Sequence, residues 1–299
     1  MARRSLKLMA VGALGALLVA GCAPPGIDGD LVNNWAAMPQ PERWSPPEGD
    51  CHGDSFRGLN RILAGYAPMD CEEFHAWETY HVGTFTGEDA DRVTPPPARS
   101  PEQARAYQEC SDHADEFLGG KWRDGRVEIR VIYPPENGWS GGARWFRCDI
   151  SEIEGMTGGE NDRDKNRKGS LSGSLAGQAA PLARGCYRAE GKNDGVPVSC
   201  DKPHHYEYVG TWIVPQSLGY NQLAERDYAR PHRECRSLVA KHVGVPDDAN
   251  LIYRTGTYMI IPHKESWDSG DRGVNCMLWL DRRLTGSLKG AGTKGLPIN

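Results

Sequence analysis

Apolar positions along this chain fall into short alternating runs, interrupted by glycine, proline and charged turns, with two longer stretches at helical spacing. HVGTFTG (81–87) and YEYVGTWIV (206–214) are rich in aromatic and β-branched residues and read as strands. VEIRVIY (127–133) alternates with period two, so one row of side chains can face a core while the other faces water. Ser100-Pro101-Glu102-Gln103 offers an N-cap, a proline for the first helical position and a glutamine where a capping box needs one. Ala104, Tyr107, Cys110 and Phe117 then recur at helical spacing until Gly119-Gly120 stops the helix. Ala229 to Val243, capped by Gly244, predicts a second helix, and Pro134 to Gly142 predicts a turn into a closing strand through Cys148.

These elements are written twice. WSGGARWFRC (139–148) and WDSGDRGVNC (267–276) both read W-x2-G-x-R-x3-C at an offset of 128, and VIYPPENGW (131–139) faces MIIPHKESW (259–267) at the same offset. ARAYQEC (104–110) faces ARPHREC (229–235), and CEEFHAWE (71–78) faces CDKPHHYE (200–207), both C-x3-H-x2-E. Val-Gly-Thr follows each of the latter, at 82–84 and 209–211, with two extra residues in the first copy. LSGSLAG (171–177) faces LTGSLKG (284–290), with about 15 extra residues of the first copy falling in the charged run GGENDRDKNRKG. Six anchors in one order imply a tandem duplication. The predicted fold class is therefore α+β: two tandem disulfide-stabilised domains, 51–178 and 184–291, each a small antiparallel sheet with one main helix. Few long-range contacts should cross the Gly177-Gln178-Ala179-Ala180-Pro181 joint, and 292–299 reads as a C-terminal tail.

The N-terminus sets the compartment. Arg3, Arg4 and Lys7 precede an uncharged apolar run, Leu8 to Ala20, too short to span a hydrocarbon core of about 30 Å. It ends in Leu18-Val19-Ala20-Gly21-Cys22, which looks like a bacterial lipobox, so 1–21 reads as a signal peptide and Cys22 as the lipidated residue. Lipid at Cys22 would hold the protein on the outer face of the cytoplasmic membrane without a spanning helix. Residues 22–50, rich in proline, glycine and asparagine, read as a tether. Loss of three basic residues with the signal moves the formal charge from −5 to −8, and no basic run survives to suggest nucleic-acid binding.

Export decides how the cysteines read. Eight remain after Cys22, four per copy: Cys51, Cys71, Cys110 and Cys148, then Cys186, Cys200, Cys235 and Cys276. Outside the cytoplasm an even set of this kind is a disulfide framework, and no C-x-x-C or zinc-knuckle spacing occurs. One scheme used in both copies leaves three connectivities. Cys51–Cys71 with Cys110–Cys148, and Cys186–Cys200 with Cys235–Cys276, is the expected one. The first bond of each pair staples a loop of variable length, while the second ties a helix to the closing strand across separations of 38 and 41.

The C-x3-H-x2-E and W-x2-G-x-R-x3-C segments, with the lipobox, resemble the actinobacterial septum formation domain family. That resemblance covers nearly all of the mature chain and implies a membrane-attached envelope protein with a role in division septa; it brings no catalytic mechanism. The first copy departs from the pattern with Phe74 where the second has Pro203.

Candidate chemistry rests on the repeated polar groups. His75 with Glu78, and His204 with Glu207, suit either a general acid/base pair or two ligands of a metal such as zinc. The structural alternative is a tight turn after cysteine, with the imidazole bonded to backbone and the glutamate a solvated strand residue. Arg144 and Arg272, each beside a tryptophan, suit either capture of a carboxylate or phosphate, or a guanidinium stacked on Trp139 or Trp267 inside a hairpin. No G-x-S-x-G, H-E-x-x-H, S-x-x-K or phosphate loop appears in suitable context. The expectation is a non-enzymatic envelope lipoprotein without cofactor or metal, a binding or scaffolding module for envelope or division proteins or cell-wall polymer. The alternative is a metal-dependent or acid/base hydrolase of cell-wall material using the His/Glu pairs.

Overall fold

The computed structural model describes residues 43–53, 66, 68–156, 164–177, 180–190 and 193–298. The signal segment, Cys22, most of the tether and parts of the charged run and the 178–184 joint lie outside the described residues. Trp44–Asn299 is one compact unit.

Two five-stranded antiparallel sheets share one plan. The first is built from β1 (Cys51–His52), β2 (Pro68–Met69), β3 (Trp77–Thr84), β4 (Val127–Ile132) and β5 (Trp145–Glu152), in the order β2-β1-β3-β5-β4. The second uses β6 (Cys186–Glu190), β7 (Asn193–Val198), β8 (His204–Ile213), β9 (Gly256–Ile260) and β10 (Gly273–Leu284), in the order β7-β6-β8-β10-β9. Between β3 and β4 runs α1 (Pro101–Leu118), and α2 (Glu136–Ser140) precedes β5. The second half repeats this with α3 (Tyr220–Leu223) and α4 (Glu225–Val243) before β9, and α5 (Lys264–Ser269) before β10. A short α6 (Gly292–Gly295) ends the described chain.

Local chemistry explains the first helix. Ser100 Oγ accepts from the Gln103 N–H at 3.2 Å, Pro101 occupies the first turn, and Gly119 closes the helix with φ 71°. The capping box is only half made, because Gln103 Nε2 donates to the Pro96 carbonyl instead of returning to the cap. The buried stripe is Gln103, Ala106, Tyr107, Cys110, Ala114 and Leu118, one position off the expected one at Ala104. It packs on Tyr80, Ile129, Val131, Phe146 and Ile150 from the sheet, where each large apolar side chain contributes about 1.5–3 kcal/mol by burial. Disulfides join Cys51–Cys71, Cys110–Cys148, Cys186–Cys200 and Cys235–Cys276, the connectivity expected from the sequence. Cys110 and Cys235 lie on α1 and α4, so two of the bonds pin a helix to the last strand of its sheet.

The two sheets have the same strand order, but the register between them differs from the sequence reading. Cys148 pairs across the ladder with His81, and Cys276 with Gly210. His81 therefore corresponds to Gly210, at the constant offset that also matches Glu78 to Glu207, and a bulge falls at Tyr80 and at Val209. No insertion separates the strands, and the two Val-Gly-Thr triplets are not equivalent. The later loop is also shifted: Leu171 and Leu288, not Leu175, donate their N–H to the matching glutamates. From Cys148 to the bridge residue Arg167 is 19 positions and from Cys276 to Leu284 is 8, so the first half carries 11 extra residues rather than about 15.

The face of each sheet turned from its helix is covered by chain from upstream. In the first half it carries a buried polar row, in which His52 Nε2 meets Thr79 Oγ1 at 2.9 Å, Thr79 donates to Asp149 at 2.8 Å, and Arg147 donates to Asp149 at 2.6 Å. Trp44 and Tyr66 lie over this row. In the second half the matching positions are Tyr187, Tyr208, Met277 and Asn275, and the cover is the first half itself. Met156 packs on Tyr187 and Met277, the Tyr208 hydroxyl donates to Asp124 at 2.8 Å, and Arg123 pairs with Asp271 at 2.8 Å. These contacts join the two halves, where few were expected.

Candidate functional site

The C-x3-H-x2-E segments place their groups identically in the two halves. His75 exchanges both backbone hydrogen bonds with Arg167, and His204 pairs with Leu284, so the chain leaving the last strand is laid alongside each histidine. His75 Nδ1 contacts the Glu73 carbonyl at 2.9 Å and His204 Nδ1 the Lys202 carbonyl at 2.7 Å. A carbonyl only accepts, so Nδ1 is the donor in each contact. Both Nε2 atoms are buried without a hydrogen-bond partner among the described residues.

Each glutamate is a buried clamp rather than the solvated strand residue expected, because donors from a distant loop satisfy its carboxylate. Glu78 accepts from Ser170 Oγ at 2.6 Å and from the Leu171 N–H at 2.7 Å. Glu207 accepts from Ser287 Oγ, from the Leu288 N–H at 2.9 Å and from His242 Nε2 at 3.0 Å. Burial pushes the Glu207 carboxyl up, but donation from His242, Ser287 and Leu288 outweighs it and holds the group below its usual value. Both pairs thus converge on one loop, and both oxygens of each carboxylate already have donors. Cys186 lies with His204 and Glu207 in a cluster whose candidate ligand atoms fall within 4.8 Å, but its sulfur is bonded to Cys200. The set lacks the thiolate that a metal would take.

The W-x2-G-x-R-x3-C segments form the turn into each closing strand. Arg144 stacks over Trp139 at 4.1 Å and Arg272 over Trp267 at 3.6 Å. Arg144 donates to the carbonyls of Ala90, Trp139 and Ala143, and Arg272 to those of Pro215 and Leu218. Gly142 and Gly270 sit at φ 95° and 122°, which a Cβ would oppose. These arginines staple the turn to the loop after β3 or β8, with their donors turned inward.

Open surface lies elsewhere. Ile252, Tyr253 and Trp279 are 54%, 58% and 36% exposed and line a shallow groove with Arg254, Asp281 and Arg282 in the second half. Sequence reasoning had no means to find it, since Ile252 and Tyr253 read as ordinary apolar residues and only the fold leaves them outside. A second groove runs between the halves, lined by Glu128, Ile260, His263 and Asp271. Burial raises the Glu128 carboxyl there.

No helix among the described residues is long and apolar enough to cross a membrane. The curated relatives it resembles include two proteins described as uncharacterized membrane proteins, from Mycobacterium tuberculosis strains CDC 1551 / Oshkosh and ATCC 25618 / H37Rv. Each is 22% identical over 297 residues, covering 92% of this chain and 63% of the relative, so this chain spans under two thirds of their length. No solved structure matches the chain. The profile of the septum formation family matches residues 48–276 in one interval that takes in both halves. More than half of the chain, including both C-x3-H-x2-E and both W-x2-G-x-R-x3-C segments, lies within that match, and the protein belongs to the septum formation family.

Proposed function

We propose that this protein is a non-enzymatic cell-envelope lipoprotein, anchored through lipid at Cys22 to the outer face of the cytoplasmic membrane, that serves as a binding or scaffolding module in septum formation or cell-wall organisation. Its two tandem domains, 51–178 and 184–291, would each present a surface on a disulfide-fixed sheet and helix. The observation that carries this reading is the engagement of the repeated polar groups: the Glu78 and Glu207 oxygens hold a loop, and Arg144 and Arg272 hold a turn. Family membership supports the septal context, and the exposed Ile252, Tyr253 and Trp279 offer a contact surface for an envelope or division protein or a wall polymer.

The hydrolase reading would need His75 or His204 to share a reacting atom with its glutamate, and nothing in the geometry favours it. A fluorescent C-terminal fusion imaged in dividing cells, combined with cross-linking, tests the proposal. Enrichment at the septum with capture of an envelope component that Tyr253→Ser weakens is the expected result. Even distribution around the cell, or soluble muropeptides released by the purified protein, would overturn it.

A further inference from the structure

In the first half only, β3 and α1 bring two imidazoles together at the surface. His81 and His113 stack with ring centroids 3.7 Å apart and planes 18° from parallel. Two protonated rings would repel at that distance, and three carboxylates surround them. Glu109, one turn before His113 on α1, meets His81 Nε2 at 3.0 Å. Glu48 meets His81 Nδ1 at 3.1 Å, and Glu116 lies 3.5 Å from His113 Nδ1.

We propose that His81, Glu109 and His113 form a binding site for a borderline divalent transition-metal ion, with Zn²⁺ as its representative. One candidate donor atom from each of the three lies within 4.8 Å of the others. A tetrahedral ion with bonds of roughly 2.0–2.2 Å places its ligands about 3.3 Å apart, close to the His81–Glu109 separation. His113 closes the remaining gap by a side-chain rotation, for which its 42% exposure leaves room. The carboxylates at the two Nδ1 atoms supply what a metal-bound imidazole ordinarily has: an acceptor that fixes the ring and leaves Nε2 for the ion. Glu48 and Glu116 are thus positioning residues. Three protein ligands leave a fourth position open to water or to a ligand from a partner. Two imidazoles select against Ca²⁺ and Mg²⁺, which take oxygen ligands.

The duplication supplies an internal control. His81 corresponds to Gly210, and His113 to Leu238 by the register of Cys110 with Cys235. In the second half that pair is an apolar contact, the Gly210 Cβ position lying 3.7 Å from Leu238. The same β-strand and helix positions meet in both halves, so the fold does not require histidine there.

The test uses the full chain, stripped with a chelator and titrated calorimetrically with Zn²⁺ in competition with a chelator of known affinity. One Zn²⁺ per chain is expected. His113→Leu, which copies the residue of the second half, and Glu109→Gln should each weaken binding by 100-fold or more, and Glu48→Gln by roughly 10–100-fold. Ca²⁺ should give no signal. Melting temperatures taken in chelator report whether a variant has kept its fold; Glu109→Gln, at an exposed helix position, carries the test if His113→Leu has not. Absence of a stoichiometric Zn²⁺, or equal affinity in folded His113→Leu or Glu109→Gln protein, overturns the assignment.

Discussion

Arg123 and Asp271, from different halves of the chain, form an ion pair of 2.8 Å with side chains only 18% and 15% exposed. Burial alone would lower the Arg123 pKa, yet Asp271 beside it raises it overall. Removing one partner leaves the other charge desolvated and unpaired, the costly case for buried pairs. Asp271→Ala is expected to lower unfolding free energy by about 3 kcal/mol in denaturant titrations, and Arg123→Met with Asp271→Leu to recover most of that loss. A change within about 0.5 kcal/mol for Asp271→Ala would mean that the halves do not depend on this contact.

Acid should weaken the first half through His52. Burial lowers its pKa, opposed by Asp149 and reinforced by Arg147, to about 4. A base whose folded pKa lies below its unfolded value contributes stability above the unfolded pKa and loses it as pH falls. The window runs from about pH 6.5 down to about 4, with a total of roughly 3 kcal/mol. Unfolding free energies measured across that window should fall for the native protein and flatten for His52→Gln. Parallel curves would place the titrating group elsewhere.

The bonds from helix to closing strand carry a large share of stability. In the chain-entropy account, the loops of 38 and 41 positions closed by Cys110–Cys148 and Cys235–Cys276 correspond to about 4 kcal/mol each. Replacing Cys110 and Cys148 together by alanine should lower the melting temperature by roughly 8–16 °C in a thermal scan under oxidising conditions. A shift of only a few degrees would show that the helix is held by packing alone.

Anchoring has its own test. Cys22→Ala should release the protein from washed membranes or stall its processing. Retention with unchanged electrophoretic mobility would remove the lipid from the proposal.

How much of this was legible beforehand varies with the physics. Cysteine pairing could be read because the duplication divides the problem, and the α+β pattern because periodicity follows burial on one face. Register could not. The Val-Gly-Thr triplets look equivalent, but Gly83 lies against the Phe146 ring while Gly210 sits at a bulge over Leu238. In the loop, Gly-Ser-Leu occurs at both 169–171 and 173–175, and only Glu78 reveals which one matches the second half. The His/Glu pairs were visible as a motif, but their use as loop clamps depends on donors at Ser170 and Ser287, far along the chain. The His81–His113 pair left one trace, Glu109 and His113 four apart on a predicted helix; its third member comes from a strand whose pairing had to be known first.

The four disulfides also have a bearing on the order of events during synthesis. Each one joins a cysteine to the next cysteine in sequence: 51 to 71, 110 to 148, 186 to 200, 235 to 276. For a chain that emerges amino end first, an oxidase that couples the thiols from Cys51 onward in order of arrival produces the native set directly. No bond has to wait for a distant segment, and none has to be reshuffled by an isomerase. The first half can therefore be complete and covalently locked before the second appears, ready to receive the sheet face that will pack on it.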